Sequence, residues 1–202
     1  KDIIDIEGVR DNQLIGYGLV VGVQGTGDGM RNSPFTEESV RAMLNNLGVA
    51  TQSGRTRSKN IAAVIVTANL PPFVKPGSRI DVTVSSLGDA TSLAGGTLVM
   101  SPLKGADGEI YAVAQGQLVM SGLQAQGQAE TLTKGVPTAA RIPNGAIVER
   151  AVDMSFERNT PYTLQLRNPD FSTAVQIADA INAFSKERYG VKAAEEQDSR
   201  AI

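Results

Sequence analysis

Apolar residues in this chain come in short β-branched runs, and each run is fenced by residues that interrupt regular structure. Leu14 to Val23 (LIGYGLVVGV) lies between Asp11-Asn12 and a glycine cluster, and reads as a strand. Ile61 to Ala68 has the composition of a buried strand. Pro71-Pro72 and Pro76-Gly77 then force a turn before Arg79 to Ser85, where Ile80, Val82 and Val84 alternate with polar residues as in a half-buried strand. Such a chain builds sheets from hairpins. Thr97 to Leu103 and Glu109 to Gln115 flank Asp107-Gly108, and Ala139 to Ile142 and Ala146 to Arg150 flank Asn144-Gly145, so both pairs are expected as hairpins. Ser121 to Gly135, rich in Gln, Gly and Ala, has little to bury and is expected as a mobile loop.

Two segments carry a helical period instead. Thr36 is expected to cap a helix with Glu37 and Glu38 in its first turn, Val40, Met43, Leu44 and Leu47 on one face, and Gly48 as its terminator. After Arg150, a strand at Tyr162 to Arg167 leads into a helix with Phe171, Val175, Ala178, Ile181 and Phe184 or Ser185 on one face, ended by Gly190. The fold class is therefore α+β. Residues 1–150 form a sheet-rich domain of mostly antiparallel strands and hairpins with one packed helix near 36–47. Residues 151–202 form a partial β-α unit that lacks a returning strand, to be supplied by further sequence or by another chain.

Composition narrows the function. With 202 residues the chain can bury a core without disulfides or metal. The net charge of -2 argues against general nucleic-acid binding. The longest apolar stretches fall short of the roughly 20 residues of a membrane span. Histidine and cysteine are both absent, which removes the Cys nucleophile, the His base and thiolate or imidazole metal sites, and no cofactor is expected. Carboxylate chemistry stays open, but nothing in the order of Asp81, Asp89, Asp107 and Glu109 brings two of them together; solvated faces and turns account for them.

Strand, Gly25-Thr26-Gly27-Asp28-Gly29 and helix superficially suggest a nucleotide loop. Phosphate sites set the glycine turn directly at the helix N-terminus, whereas here Met30 to Phe35 intervene and no phosphate-binding Lys follows. These glycines instead permit positive φ or close backbone approach. Arg55, Arg57 and Lys59 form a basic cluster with no acid between Ala50 and Asn60; it reads as an ordinary solvated loop, and it also suits an acidic partner.

Ordered blocks along nearly the whole chain resemble the bacterial flagellar P-ring protein family. They include Glu7-Gly-Val-Arg10, Gln13 to Gly22 (QLIGYGLVVG), Gly25-Thr-Gly-Asp28, Pro34-Phe-Thr36, Lys59-Asn60 before AAVIVTA, Leu70-Pro-Pro-Phe73, IDVTVSS from Ile80, Gly95 to Leu98, Pro102 to Asp107, Tyr111 to Gly116, Arg141 to Arg150 (RIPNGAIVER) and the helix around Asp170 to Ala183. The resemblance implies a non-enzymatic structural subunit, exported to the periplasm through a cleaved signal. Many copies of it close into a ring at the peptidoglycan layer, meet the outer-membrane L ring and form a bushing around the rotating flagellar rod. Family members continue beyond the position of Ile202, so residues 1–202 alone are expected to be monomeric or weakly associated. A second basic residue is common in the family between Asp89 and Gly95, where this chain has Thr91. The lysine matching Lys59 is expected to face the rod, with Arg57 and Arg55 beside it and Lys75, in the Pro-rich turn, as a weaker candidate. A peptidoglycan-binding or cell-wall-acting module is the rival reading. It would need paired carboxylates or exposed aromatics in a cleft, and the chain has only four Tyr, five Phe and no Trp.

Overall fold

The computed structural model describes residues 3–29, 32–49, 58–120, 123–126, 131–134, 136–152 and 161–202. The strands are β1 (Ile4–Ile6), β2 (Asn12–Val21), β3 (Ile61–Leu70), β4 (Arg79–Ser86), β5 (Thr97–Lys104), β6 (Ile110–Gln117), β7 (Leu123–Gln126), β8 (Thr131–Lys134), β9 (Ala139–Val148) and β10 (Leu164–Leu166). The helices are α1 (Pro34–Asn46) and α2 (Phe171–Tyr189). Antiparallel pairing throughout gives the expected α+β class, with a sheet-rich part and a helix packed on it. The residues divide into two compact units, 11–152 and 1–10 with 153–202.

Unit 11–152 is built on a closed six-stranded barrel in the order β2-β3-β4-β9-β6-β5. Alternation along the strands sends Leu14, Val20, Val64, Val66, Val82, Val84, Leu98 and Leu103 inward, where each is almost fully buried. Closure leaves no strand of the barrel with an open edge. The seam between β2 and β5 explains two glycines of the LIGYGLVV run. A Cβ on Gly16 would strike the Pro102 carbonyl and Leu103, and one on Gly18 would strike Ser101 Oγ and Leu98. Helix α1 covers the outside of the barrel, with Val40, Met43 and Leu44 packed on Leu19, Ala63 and Ile61.

Four expectations are corrected here. Asn144-Gly145 is no hairpin turn, because β9 runs unbroken from Ala139 to Val148. Val82 pairs with Ile142 and Ile80 with Ala146, so residues 143–145 stand opposite Asp81 alone in a bulge. Asn144 takes φ 52, a conformation Asn tolerates, and donates its N–H to Asp81 Oδ1 at 2.8 Å. A bulge and a turn ask for the same dipeptide, so Asn-Gly alone does not distinguish them. Within 121–135, β7 and β8 pair in register from Leu123 opposite Lys134 to Gln126 opposite Thr131, so this stretch contains a hairpin where a loop was expected. Helix α1 starts at Pro34 with Ser33 as N-cap, since the fixed φ of proline suits the first helical position, and Thr36 is inside the helix. Leu47 is 70% exposed, off the packed face.

In unit 1–10 with 153–202, β10 pairs on one side with β1 from the start of the chain and bridges on the other to Ala201. Leu164 exchanges both backbone hydrogen bonds with Ile202, at 2.8 and 3.0 Å. β10 thus has a pairing partner on each side, β1 on one and residues 200–202 on the other. Asp170 caps α2 by accepting from the Ser172 and Thr173 N–H groups, and Gly190 closes it at φ 73. The helix packs Ala174 and Ala178 with Leu166 and Ile202 and also buries Ser185, while Phe171 is 65% and Phe184 57% exposed. Of the expected stripe, Ala178 and Ser185 are buried, whereas Phe171, Val175 and Phe184 are exposed, and Ala174 packs in addition.

Candidate interaction site

The glycine loop, Lys59-Asn60 and the connection between β4 and β5 meet at the end of the barrel where β3 begins. Residues 22–28 are laid along residues 59–61 by backbone bonds from Gly22 N–H to Asn60 O at 2.9 Å, Gly27 N–H to Lys59 O at 2.7 Å and Asp28 N–H to Ile61 O at 2.8 Å. The Asn60 side chain adds a bond from the Gly25 N–H at 3.0 Å. Gly27 is required by this approach, since a Cβ there would lie 2.7 Å from Lys59 O and closer still to Ile61 O. Lys59 thereby has a fixed backbone and an exposed side chain. Arg55 and Arg57 lie outside the described residues. Lys75 is exposed in the turn after β3, at the other end of that strand from Lys59. The 10 residues of β3 span about 33 Å, so the two lysines do not share a surface patch.

Asp28 is the residue that the sequence did not single out. It is fully buried and accepts three hydrogen bonds: from Thr36 Oγ1 at 2.8 Å, Ala63 N–H at 2.8 Å and Ala90 N–H at 2.9 Å. One carboxylate therefore ties together α1, β3 and the β4–β5 connection. The available signal was an acid inside a glycine-rich loop between a strand and a helix, and this signal also fits a turn. Gly88 is needed next to it, because a Cβ would enter the Asp28 carboxylate.

Asp89 makes a second tie on the surface. It accepts from Gly29 N–H at 2.7 Å, Asn32 Nδ2 at 3.1 Å and Ser33 Oγ at 3.3 Å. These bonds, the Gly29 one foremost and the Asn32 one next, hold its carboxyl below the ordinary range. Thr91 donates its N–H to Thr26 O at 2.8 Å, which ties the β4–β5 connection to the glycine loop. The remaining acids are also engaged. Tyr111 donates to Asp107 at 2.6 Å, the leading cause of that carboxyl's lowered pKa, and Glu109 pairs with Arg150 at 2.9 Å. The arrangement is a network of loop ties around a fixed, outward lysine, with its acids used as acceptors for structure.

Among the described residues, no helix is long and apolar enough to cross a membrane. A family profile described as flagellar P-ring protein matches residues 1–202. The chain belongs to the flagellar P-ring protein family. A flagellar P-ring protein of Agrobacterium fabrum is 65% identical over 202 residues, all of this chain and 54% of the relative. Those of Rhizobium etli (strain CIAT 652) and Sinorhizobium fredii are 64% and 61% identical over the same 202 residues, again 54% of each relative. The chain spans about half the length of these P-ring proteins.

Proposed function

We propose that this chain is part of the structural subunit of the flagellar P ring in the basal body, and is not an enzyme. Copies of the subunit assemble around the rod in the periplasm after signal removal, next to the peptidoglycan layer and the outer-membrane L ring, and serve as a bushing. The observation that carries this reading is the family match over all 202 residues at 61% identity or more to relatives named for the ring. The geometry supports it. A closed barrel with a filled interior is hard to deform, and the buried Asp28 is committed to three structural donors. A bearing also needs only loose contact with what turns inside it. Exposed charge pairs contribute about 0–1 kcal/mol each, so a circle of Lys59 side chains facing acidic rod residues would centre the rod without locking it.

The test is genetic replacement. In a flagellated strain whose own P-ring gene is deleted, a P-ring protein carrying these 202 residues is expected to restore swimming and the ring seen in isolated basal bodies. Stable, folded protein in the periplasm without ring or motility would refute the reading.

A further inference from the structure

An asparagine or aspartate followed by glycine can close a five-membered ring on itself, because the glycine nitrogen reaches the side-chain Cγ and no Cβ stands in its way. The chain holds three such pairs: Asp28-Gly29, Asp107-Gly108 and Asn144-Gly145. Two of them are restrained. Asp28 is buried and accepts from Thr36, Ala63 and Ala90. Asp107 accepts from Tyr111 Oη at 2.6 Å and from the Glu109 N–H at 3.1 Å. Asn144 differs from both. It is exposed to water, and among the described residues nothing is hydrogen-bonded to its side-chain amide; its bonds run through its backbone, to Asp81 and from Arg79. Residues 143–145 also stand out of register between the pairs Val82 with Ile142 and Ile80 with Ala146, so a ring can close there without breaking a registered pair.

We propose that Asn144 is a site of spontaneous deamidation in the folded protein, promoted by Arg79. The guanidinium of Arg79 donates to the Asn144 carbonyl oxygen at 3.3 Å. A cation on that oxygen draws electron density from the peptide group and makes the Gly145 N–H, which shares it, more acidic. Once this nitrogen gives up its proton it bonds to Asn144 Cγ. The bond from Cγ to the side-chain nitrogen breaks, and that nitrogen takes up a proton and leaves as ammonia. Water, the only co-reactant, then opens the cyclic imide at either carbonyl and leaves aspartate or isoaspartate at position 144. Both products add a carboxylate beside Asp81, whose Oδ1 lies 2.8 Å from the Asn144 nitrogen. Isoaspartate also lengthens the main chain of β9 by one methylene, and a bulge is where a strand accommodates extra main chain. A Cβ at position 145 would strike Ile142, so the bulge itself keeps the reactive glycine in place.

The test is incubation of the purified 202-residue chain in mildly alkaline buffer, folded and, as a control, unfolded in urea. In the folded sample we expect a mass gain equal to NH2 replaced by OH, earlier elution from a cation exchanger, and methyl transfer by a protein isoaspartyl methyltransferase, all mapping to the peptide that contains position 144. Asn144→Gly adopts the same backbone conformation without penalty and should show none of these changes. Arg79→Gln should slow the conversion severalfold in the folded chain and leave the rate in urea unchanged. A folded chain that stays unmodified while the urea sample converts would overturn the proposal, and so would equal rates for the folded parent and folded Arg79→Gln.

Discussion

At the residue scale, the unit of interest is a buried carboxylate whose acceptor capacity is used by three donors from separate elements. Removing it leaves two backbone N–H groups and a hydroxyl without partners, each costing about 1–3 kcal/mol when buried. Asp28→Ala is therefore expected to lower unfolding stability in urea by about 4 kcal/mol, and Asp28→Asn by somewhat less, because the amide keeps one acceptor oxygen although its NH2 group faces a donor. Thr36→Val removes one member of the set and should cost about 1 kcal/mol in the same titration. If Asp28→Ala unfolded at the parent's urea midpoint, the hub role would be wrong. The sequence shows Asp28 only as one polar letter among glycines. Its burial depends on Ala63 and Ala90, 35 and 62 residues away, and no local pattern encodes that meeting.

At the scale of elements, the tie between Asp89 and the start of α1 has a pH signature. The folded-state pKa lies below the ordinary 3.8, so the stabilisation is complete above the ordinary value and is lost as pH falls through the lowered one. The stability gap between the parent and Asp89→Asn should accordingly be flat from pH 7 to about 5 and narrow below about pH 4. A gap that widened on acidification would contradict the hydrogen-bond geometry. Helix α2 offers a second check, on which face is inside. Ala178→Leu, at a site 1% exposed, should overpack the contact with Leu166 and cost about 1–3 kcal/mol. Phe184→Ser should stay within about 0.5 kcal/mol. The reverse order, measured by thermal melting, would put Phe184 in place of Ala178 on the packed face. The helix was legible, and so were Ala178 and Ser185 on its packed face, but Phe171, Val175 and Phe184, which are exposed, satisfy the same helical period. The strands of the barrel were legible for the opposite reason. Glycine and proline fence them closely, and alternation in Arg79 to Ser85 shows which side is buried.

For the whole molecule, what the sequence could not show is closure. β2 meets β5 some eighty positions on, with Val20 opposite Leu98, and β1 meets β10 with Ile4 opposite Leu166. Pairings so distant are fixed by the assembled sheet and leave no trace in a window of ten residues. Lys59 is tied to the glycine loop through its carbonyl and is exposed, which is the basis for a test at this scale. Lys59→Glu is expected to leave the melting temperature within about 2 °C of the parent, as a surface change should, while reducing swimming more than Lys59→Ala does. Parental swimming by Lys59→Glu would return this residue to the ordinary solvated surface.

The order of strands in the closed barrel also sets a timetable. A chain threaded through a pore from its N-terminal end presents β2, β3 and β4 first, then β5 and β6, yet β9 must lie between β4 and β6. Until Val148 has emerged, two strand edges stay open, and β1 waits longer still for Leu164 to Leu166. A chain released in that order would be most exposed to strand capture and cleavage before Val148 is available to pair. Chains ending at Thr138 should be cut rapidly by a protease that spares chains ending at Val152.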